Sequence, residues 1–524
     1  MFPERAAGIL IPLFAMRSAD DLGRGDIGGL AGAGQLAHAM GQRLIQLLPV
    51  DETPPGEASP YSASSVFAID PLYISLRGLD GIDDADVDSA HAALVGNQLD
   101  LVRLRIVKED LQDRAFTEFR ARGRESEHLA FAEFAEANRS WLEDYALFRV
   151  LKDKFAGAEW SHWPAALARH EPRAIADASR ALAASLERYR FRQFLAYRQW
   201  SKARAELGRC GVLIGGDLAF SPARDSAEVW ARQRLFDFTR TVGAPPDVFS
   251  PSGQRWDLPM PDWARMRADD FSFIRARVRR ARALYDLIRI DHVVGLFRTY
   301  GFPLGPDTKG AFDPVKEAAQ IAQGEELLKL IIAEAGAMRT VAEDLGVVPP
   351  FVRATMSQLG VPGYKIIRWE HDWSAAGQPF RDPRNYPAAA LVTTGTHDTE
   401  TLAEWWETLR DDERRRFVKD LRLDRARGAS SGAALNSRVL SATGLAEPVL
   451  DAILEAVYAS PGQLAIIPLQ DLFGWKDRIN VPGTVDSRNW RWRLPFDPSG
   501  LKNDPTLRAR IDKIRALTIQ AGRF

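Results

Sequence analysis

The sequence predicts an α/β fold, a parallel β-sheet wrapped by helices and closed as a (β/α)8 TIM barrel with helical subdomain insertions in its loops. Three observations lead there. Short continuous apolar runs recur along the chain, as parallel strands buried on both faces require. Amphipathic stretches of helical period, such as AEVWARQRLFDF and EELLKLIIAEAG, separate most of them. Six of the runs end in acid, the pattern expected where side chains converge on one mouth at the C-terminal strand ends of a barrel. An open doubly wound sheet gathers ligands at the same ends and is the alternative fold.

Taken in order, GILIPLF is a first buried strand. A secretory segment is the other reading, but Glu4 cancels Arg5, Pro12 interrupts the run and RSADD is a poor cleavage site. LIQLLPVD follows and ends at Asp51. From about 74 to 200 the alternation stops, and LVRLRIVKEDLQDRAFTEFRAR and SWLEDYALFRVLKDKFAG read as a helical insertion. GVLIGGD then ends at Asp217, LIRID at Asp291, RTVAED at Glu343 and Asp344, ALVTTGTHD at Asp398 and LAIIPLQD at Asp471. Each acid singly could cap a helix, above all Asp51 and Asp471. RARVRRARALYD reads as a solvated helix face. At 524 residues the chain is long for one ordinary domain, but barrels run large, so residues 1–524 are read as a single catalytic domain.

Composition excludes several classes. The 69 basic and 70 acidic side chains nearly cancel, so there is no global attraction to nucleic acid or to an anionic membrane. No apolar run approaches the ~20 residues of a membrane helix. One cysteine, Cys210, rules out an internal disulfide and a cysteine zinc site, and fits a reducing compartment. GRGDIGG matches G-x-G-x-x-G at Gly23, Gly25 and Gly28, but it begins nine positions after Phe14, too far for a dinucleotide turn. It is read as a flexible barrel loop.

Three strand-end acids have company suited to glycosidic chemistry. Retaining cleavage uses one carboxylate as nucleophile and a second as acid and then base, about 5–5.5 Å apart. Arg289 is two residues from Asp291, on the same strand face, where it can hold the aspartate ionised. Glu343 follows the apolar TVA, and partial burial there would keep its proton available. Asp398 follows His397, and such a pair can bond sugar hydroxyls while opposing an oxocarbenium charge.

RIDH, AEDLG and TGTHD resemble the three catalytic regions of the 4-α-glucanotransferases (amylomaltase, or disproportionating enzyme), relatives of the α-amylases. SPYSASSVFAIDPLYISL, GGDLAFSPARDSAEVW, GAPPDVFSPSGQRW, IIPLQDLFGWKDRINVPGT and NWRWR extend the resemblance over most of the chain, in family order. It implies transfer of α-1,4-glucan segments between maltooligosaccharides through a covalent glycosyl-enzyme, with no cofactor and no metal. Asp291 would be the nucleophile, Glu343 the acid/base and Asp398 the transition-state stabiliser. Arg289, His292 and His397 would support them, Tyr61 would stack on the donor sugar, and Asp217 and Asn480 would contact sugar hydroxyls. Trp256 would sit on a loop over the acceptor side, about 240–265. The expected partners are maltooligosaccharides and α-1,4-glucans, for a cytoplasmic monomer or weak homo-oligomer. An α-glucan hydrolase and a non-catalytic glucan-binding protein are the competing functions.

The sequence departs from the family pattern in four places. WDLPMPDW stands where WGNP is usual, placing Asp257 and Leu258 after the tryptophan and Pro261 further on. DTET follows the stabiliser where DNDT is common, LIQLLP lacks the usual tryptophan before glutamine, and Asp70 replaces the asparagine before Pro71. None of these touches the three carboxylates, but the acceptor side is altered.

Overall fold

Eight short parallel strands close on themselves. In this computed structural model every residue is described except 1–4, 97–98, 247–251, 306–307, 426–434, 436–439, 441–442 and 485. The chain starts with β1 (Ala6–Leu10), the first buried strand, and β2 (Leu44–Gln46). A small antiparallel pair follows, β3 (Asp51–Glu52) with β4 (Ser65–Ile69). After the helical insertion come β5 (Leu213–Leu218), β6 (Phe236–Ala244), β7 (Gln254–Pro261), β8 (Leu287–Ile290), β9 (Thr299–Pro303) and β10 (Ala311–Asp313). The last strands are β11 (Arg339–Ala342), β12 (Gly363–Ile366), β13 (Ala390–Thr393) and β14 (Leu464–Pro468). The closed barrel runs β1-β14-β13-β12-β11-β8-β5-β2, and all its pairs are parallel. The open doubly wound alternative is thereby excluded.

Strands β1, β8, β13 and β14 are buried at every position, which is why their sequences read as apolar runs. One close approach sets the position of a site residue. A Cβ on Gly216 would lie 2.3 Å from the Tyr285 ring, so only glycine lets β5 lie against that ring and present Asp217 beyond it.

Two excursions surround the barrel. Between β4 and β5 the described residues form seven α-helices, from Asp84–Leu94 to Ala183–Arg209, with an aromatic core that includes Phe116, Phe119, Phe131, Phe191 and Phe194. The stretch 240–265 contributes to a four-stranded sheet of order β10-β9-β6-β7, in which β6 and β7 form an antiparallel hairpin. Among the described residues no helix is long and apolar enough to cross a membrane.

Two sequence readings change in the structure. RARVRRARALYD is only partly a solvated face. Arg275 and Arg279 pair with Glu334 on the outside, but Arg277 and Arg280 turn inward on the helix Ser272–Leu284. Arg280 pairs with buried Asp51 at 2.7 Å, and Arg277 donates to the Ala219 and Phe220 carbonyls, fixing the loop after β5. GRGDIGG is a loop but a pinned one. Gly25 N–H donates to the Phe14 carbonyl at 2.9 Å, and Asp26 accepts from Gly28 N–H and pairs with buried Lys108 at 3.1 Å.

Candidate active site at the barrel mouth

The strand-end acids divide by what they touch. Three belong to the frame. Asp51 is held by Arg280, and Asp344 accepts from the Tyr364 amide at 2.7 Å and from Arg353 at 2.8 Å. Asp471 accepts from the Thr394 hydroxyl at 2.5 Å and the Leu402 amide at 2.7 Å. It therefore supports the start of the helix Leu402–Thr408 across space instead of capping its own helix.

The other four join one connected network with Tyr61, Arg289, His292, His397 and Asn480. Its centre is Arg289. The β5–β8 register sets Asp217 beside Arg289. The Arg289 Nη1 donates to both Asp217 oxygens at 2.9 and 2.7 Å and lies 2.8 Å from Asp291 Oδ1. Its Nη2 is 3.9 Å from Glu343 Oε2. Glu343 Oε2 also accepts the His292 backbone N–H at 2.9 Å. His292 makes that bond from a left-handed conformation, φ 46°, uncommon outside glycine and tolerated where surroundings over-determine it.

A second cluster holds Asp398. Asn480 Nδ2 donates to its Oδ1 at 2.7 Å, and His397 Nε2 lies 3.3 Å from its Oδ2. Tyr61 ties the two halves together. Its hydroxyl donates to Asp217 Oδ2 at 2.7 Å, while its ring stacks on His397 at 5.3 Å between centroids. Trp256, on β7, meets the His292 ring edge-on at 5.0 Å. All ten residues singled out in the sequence thus have contacts within this assembly. The segment DVFSP of GAPPDVFSPSGQRW lies outside the described residues.

Exposure divides the network. The Asp217 and Arg289 side chains are 0% and 6% exposed, whereas Asp291, Glu343 and Asp398 are 20%, 15% and 44% exposed. Charge separates them further. Burial, reinforced by the Asp291 charge and opposed by Arg289, pushes the Glu343 carboxyl up to about 8. Asp398 goes the other way. Although burial opposes its charge, His397 and the Asn480 amide hold it at about 2. Burial keeps His292 below the ordinary imidazole value, so it is neutral at pH 7. One carboxyl therefore carries a proton at neutral pH while another beside it stays ionised, the separation that acid/base assignment requires.

Sequence reasoning missed several contributors. Trp490 lies 5.9 Å from Tyr61 and 5.8 Å from His397, and Arg478 donates to the Asp398 carbonyl at 3.2 Å. Both sit inside the quoted blocks NWRWR and RINVPGT, so the signal was present without a role attached. Tyr364, which accepts from Gln46 at 3.2 Å and lies under Arg289, had no signal, because the short β12, GYKI, alternates half-buried and buried positions and neither reads as an apolar run nor ends in acid.

Comparison with known proteins follows the geometry. Residues 11–498 match the family model described as 4-alpha-glucanotransferase, glycoside hydrolase family 77. The chain is 35% identical to a 4-alpha-glucanotransferase of Thermus thermophilus, over 87% of this chain and 88% of that one. It is 32% identical to a 4-alpha-glucanotransferase of Synechocystis sp., over 95% of each. In fold it is similar to an amylomaltase from Streptococcus agalactiae, solved with acarbose, at a TM-score of 0.83 over 99% of both chains and 24% identity.

Proposed function

The chain belongs to the 4-alpha-glucanotransferase family, and from that premise we propose which of its residues carry the transfer. Asp291 is the nucleophile: its carboxylate attacks the anomeric carbon as the glycosidic C–O bond breaks. Glu343 gives its proton to the departing oxygen, and the glucan stays on the enzyme as an ester of Asp291. Glu343, now ionised, takes the proton from an acceptor hydroxyl, whose oxygen attacks the anomeric carbon and frees Asp291. Asp398 remains charged throughout and opposes the positive charge of the oxocarbenium-like transition state. The observation that carries this reading is the Arg289 guanidinium, which reaches Asp291 and Glu343 while both oxygens of Asp217 anchor it.

The remaining residues divide the positioning. Asp217 fixes Arg289, Asn480 and His397 orient Asp398, and His292 fixes Glu343 through its backbone N–H. Tyr61 offers a ring to the donor sugar, and Trp256 stands on the acceptor side above His292. The substrates are maltooligosaccharides and longer α-1,4-glucans, used by a cytoplasmic monomer or weak homo-oligomer. Incubation with maltotriose tests the activity. Glucose plus oligomers longer than the substrate is the expected outcome; glucose and maltose alone would make the protein a hydrolase, and an unchanged substrate a binding protein.

The raised Glu343 value gives a pH prediction with a definite sign. The acid works protonated in the free enzyme, so kcat/KM should fall on the alkaline side, with a limb near pH 8. Stability follows the opposite interest. An unfolded glutamate ionises near 4.3, so folding holds a proton the unfolded chain has lost, and stability drops as pH rises from there to about 8. Glu343→Gln should therefore stabilise the fold by about 1–4 kcal/mol at pH 8, and by little at pH 4. Thermal denaturation of the variant at both pH values checks this. A variant destabilised at pH 8 would contradict it.

The altered acceptor side gives another. Asp257 has φ 56°, a left-handed conformation that glycine adopts at no steric cost, and it follows Trp256 directly. Leu258 adds apolar surface where the usual residue is asparagine. A bound acceptor must be oriented to outcompete water, and misplacement of that region lowers its effective molarity. Asp257→Gly with Leu258→Asn should therefore lower the ratio of new reducing ends to total cleavage on maltotriose. An unchanged ratio would show that this segment does not control partitioning.

A further inference from the structure

Trp490 belongs to two places at once. It closes the aromatic group over the acids, against Tyr61 and His397, and it also lines a separate cavity of about 370 Å³. Four arginines line that cavity, Arg17, Arg24, Arg491 and Arg493, with Phe14 as an apolar wall. Among the described residues no acidic side chain lines it. Among the described residues, Asp21 is the only acid ion-paired with any of the four, at 2.6 Å from Arg493. Arg491 and Arg17 donate to the Leu99 and Pro495 carbonyls at 2.6 and 3.1 Å. Arg24 is 4% exposed, lies over the Phe14 and Tyr73 rings at 5.0 and 5.7 Å, and its buried Nε has no hydrogen-bond partner.

That arrangement concentrates positive charge on one cavity. Buried cations are stable when a counter-charge accompanies them; Arg24 is buried and makes no ion pair among the described residues, and three further guanidinium side chains line the same cavity, of which Arg493 is held by Asp21 and also feels the Asp26 charge. Burial and the Arg17 charge depress the Arg493 pKa, against the raising effect of Asp21. Guanidinium forks match the oxygens of a tetrahedral oxyanion, and several of them around one cavity select such an anion over a single carboxylate. The Phe14 and Trp490 rings offer the apolar wall that a sugar's C–H face would use. The neutral glucan chain makes no use of four charges, so the cavity answers to a different ligand from the catalytic cleft.

We propose that this cavity binds a phosphate group, free or carried on a phosphorylated sugar, and that its occupancy reaches the catalytic site through Trp490. Trp490 holds a left-handed backbone, φ 62°, lines the cavity beside Arg491 and meets the Tyr61 ring, so a ligand that draws Arg491 inward moves the residue next to it. The coupling rests on the assignment of Tyr61 and His397 to the substrate site. The binding does not, so the two can fail separately.

Calorimetric titration of the full-length enzyme tests it, with inorganic phosphate, glucose 6-phosphate and glucose as probes. Saturable binding that depends on the arginines is expected for the phosphate probes, with glucose as the control for entry of the sugar alone into the catalytic cleft. Tighter binding of glucose 6-phosphate than of phosphate would identify a sugar ester as the ligand, and equal affinity a free anion; either supports the site. Arg491→Gln and Arg17→Gln, both at partly exposed positions, should each weaken binding about tenfold, with unaltered melting temperature in the absence of probe. At saturation KM for maltotriose should shift about fivefold or more, with a smaller change in kcat and no shift in the variants. Absence of saturable heat from both phosphate probes, or equal affinity in wild type and both variants, would overturn the site. Displacement of the probe by maltotriose would make it a glucan subsite instead, and binding without a change in KM would overturn the coupling.

Discussion

Asp291→Asn should abolish glucan transfer. An amide cannot form the glycosyl ester, and removal of a nucleophile costs ~10⁴-fold or more in comparable enzymes. The fold should survive the change, because Arg289 keeps both oxygens of Asp217 and an asparagine oxygen can still accept its third contact. Melting temperature and far-ultraviolet spectrum should match the wild type. A well-folded variant that retained more than about a hundredth of the transfer rate would show that another group forms the bond.

Glu343→Gln should separate two donors. Maltooligosaccharides leave as poor sugar alkoxides and need the proton that Glu343 holds, so their reaction should fall by about 10²–10⁴-fold. α-Glucosyl fluoride needs no such proton and should still glycosylate Asp291. The difference between the donors should therefore approach the whole loss on the oligosaccharide. Equal losses on both would assign Glu343 to binding or to structure, through its contact with the His292 amide.

The barrel was legible, and the three carboxylates proposed for catalysis could be singled out, because both rest on local patterns. Apolar runs ending in acid give parallel strands and their C-terminal ends, and Asp291, Glu343 and Asp398 each lie at or just beyond such an end. What the pattern does not contain is register. Arg289 was legible as a partner for Asp291, two residues away, but its stronger anchor is Asp217, 72 residues earlier on the neighbouring strand. Pairing of adjacent parallel strands is fixed by the closed sheet, and a single strand's periodicity carries no trace of it. The same applies to Asp51 and Asp471. Each ends an apolar run as the acids proposed for catalysis do, and only their partners, Arg280 for one and Thr394 with Leu402 for the other, assign them to the frame.

Helix faces posed the same difficulty at shorter range. RARVRRARALYD has too many arginines for a hydrophobic stripe to show which face turns inward, and the inward ones satisfy themselves on carbonyls of the loop after β5 and on Asp51. Trp490 lies inside the block NWRWR, but nothing local to that block gives it a place in the site. It meets Tyr61 across 429 positions, in a backbone conformation that tryptophan rarely adopts.

The claim on which everything else depends is that a glucosyl group is carried covalently on Asp291. Glu343→Gln given α-glucosyl fluoride should accumulate that intermediate, since formation needs no acid and breakdown lacks its base. Quenching, proteolysis and mass spectrometry should find one added hexosyl mass on the peptide that contains Asp291. A stable adduct on the peptide containing Asp398 or Asp217, or turnover of the fluoride with inversion at the anomeric carbon, would contradict the account.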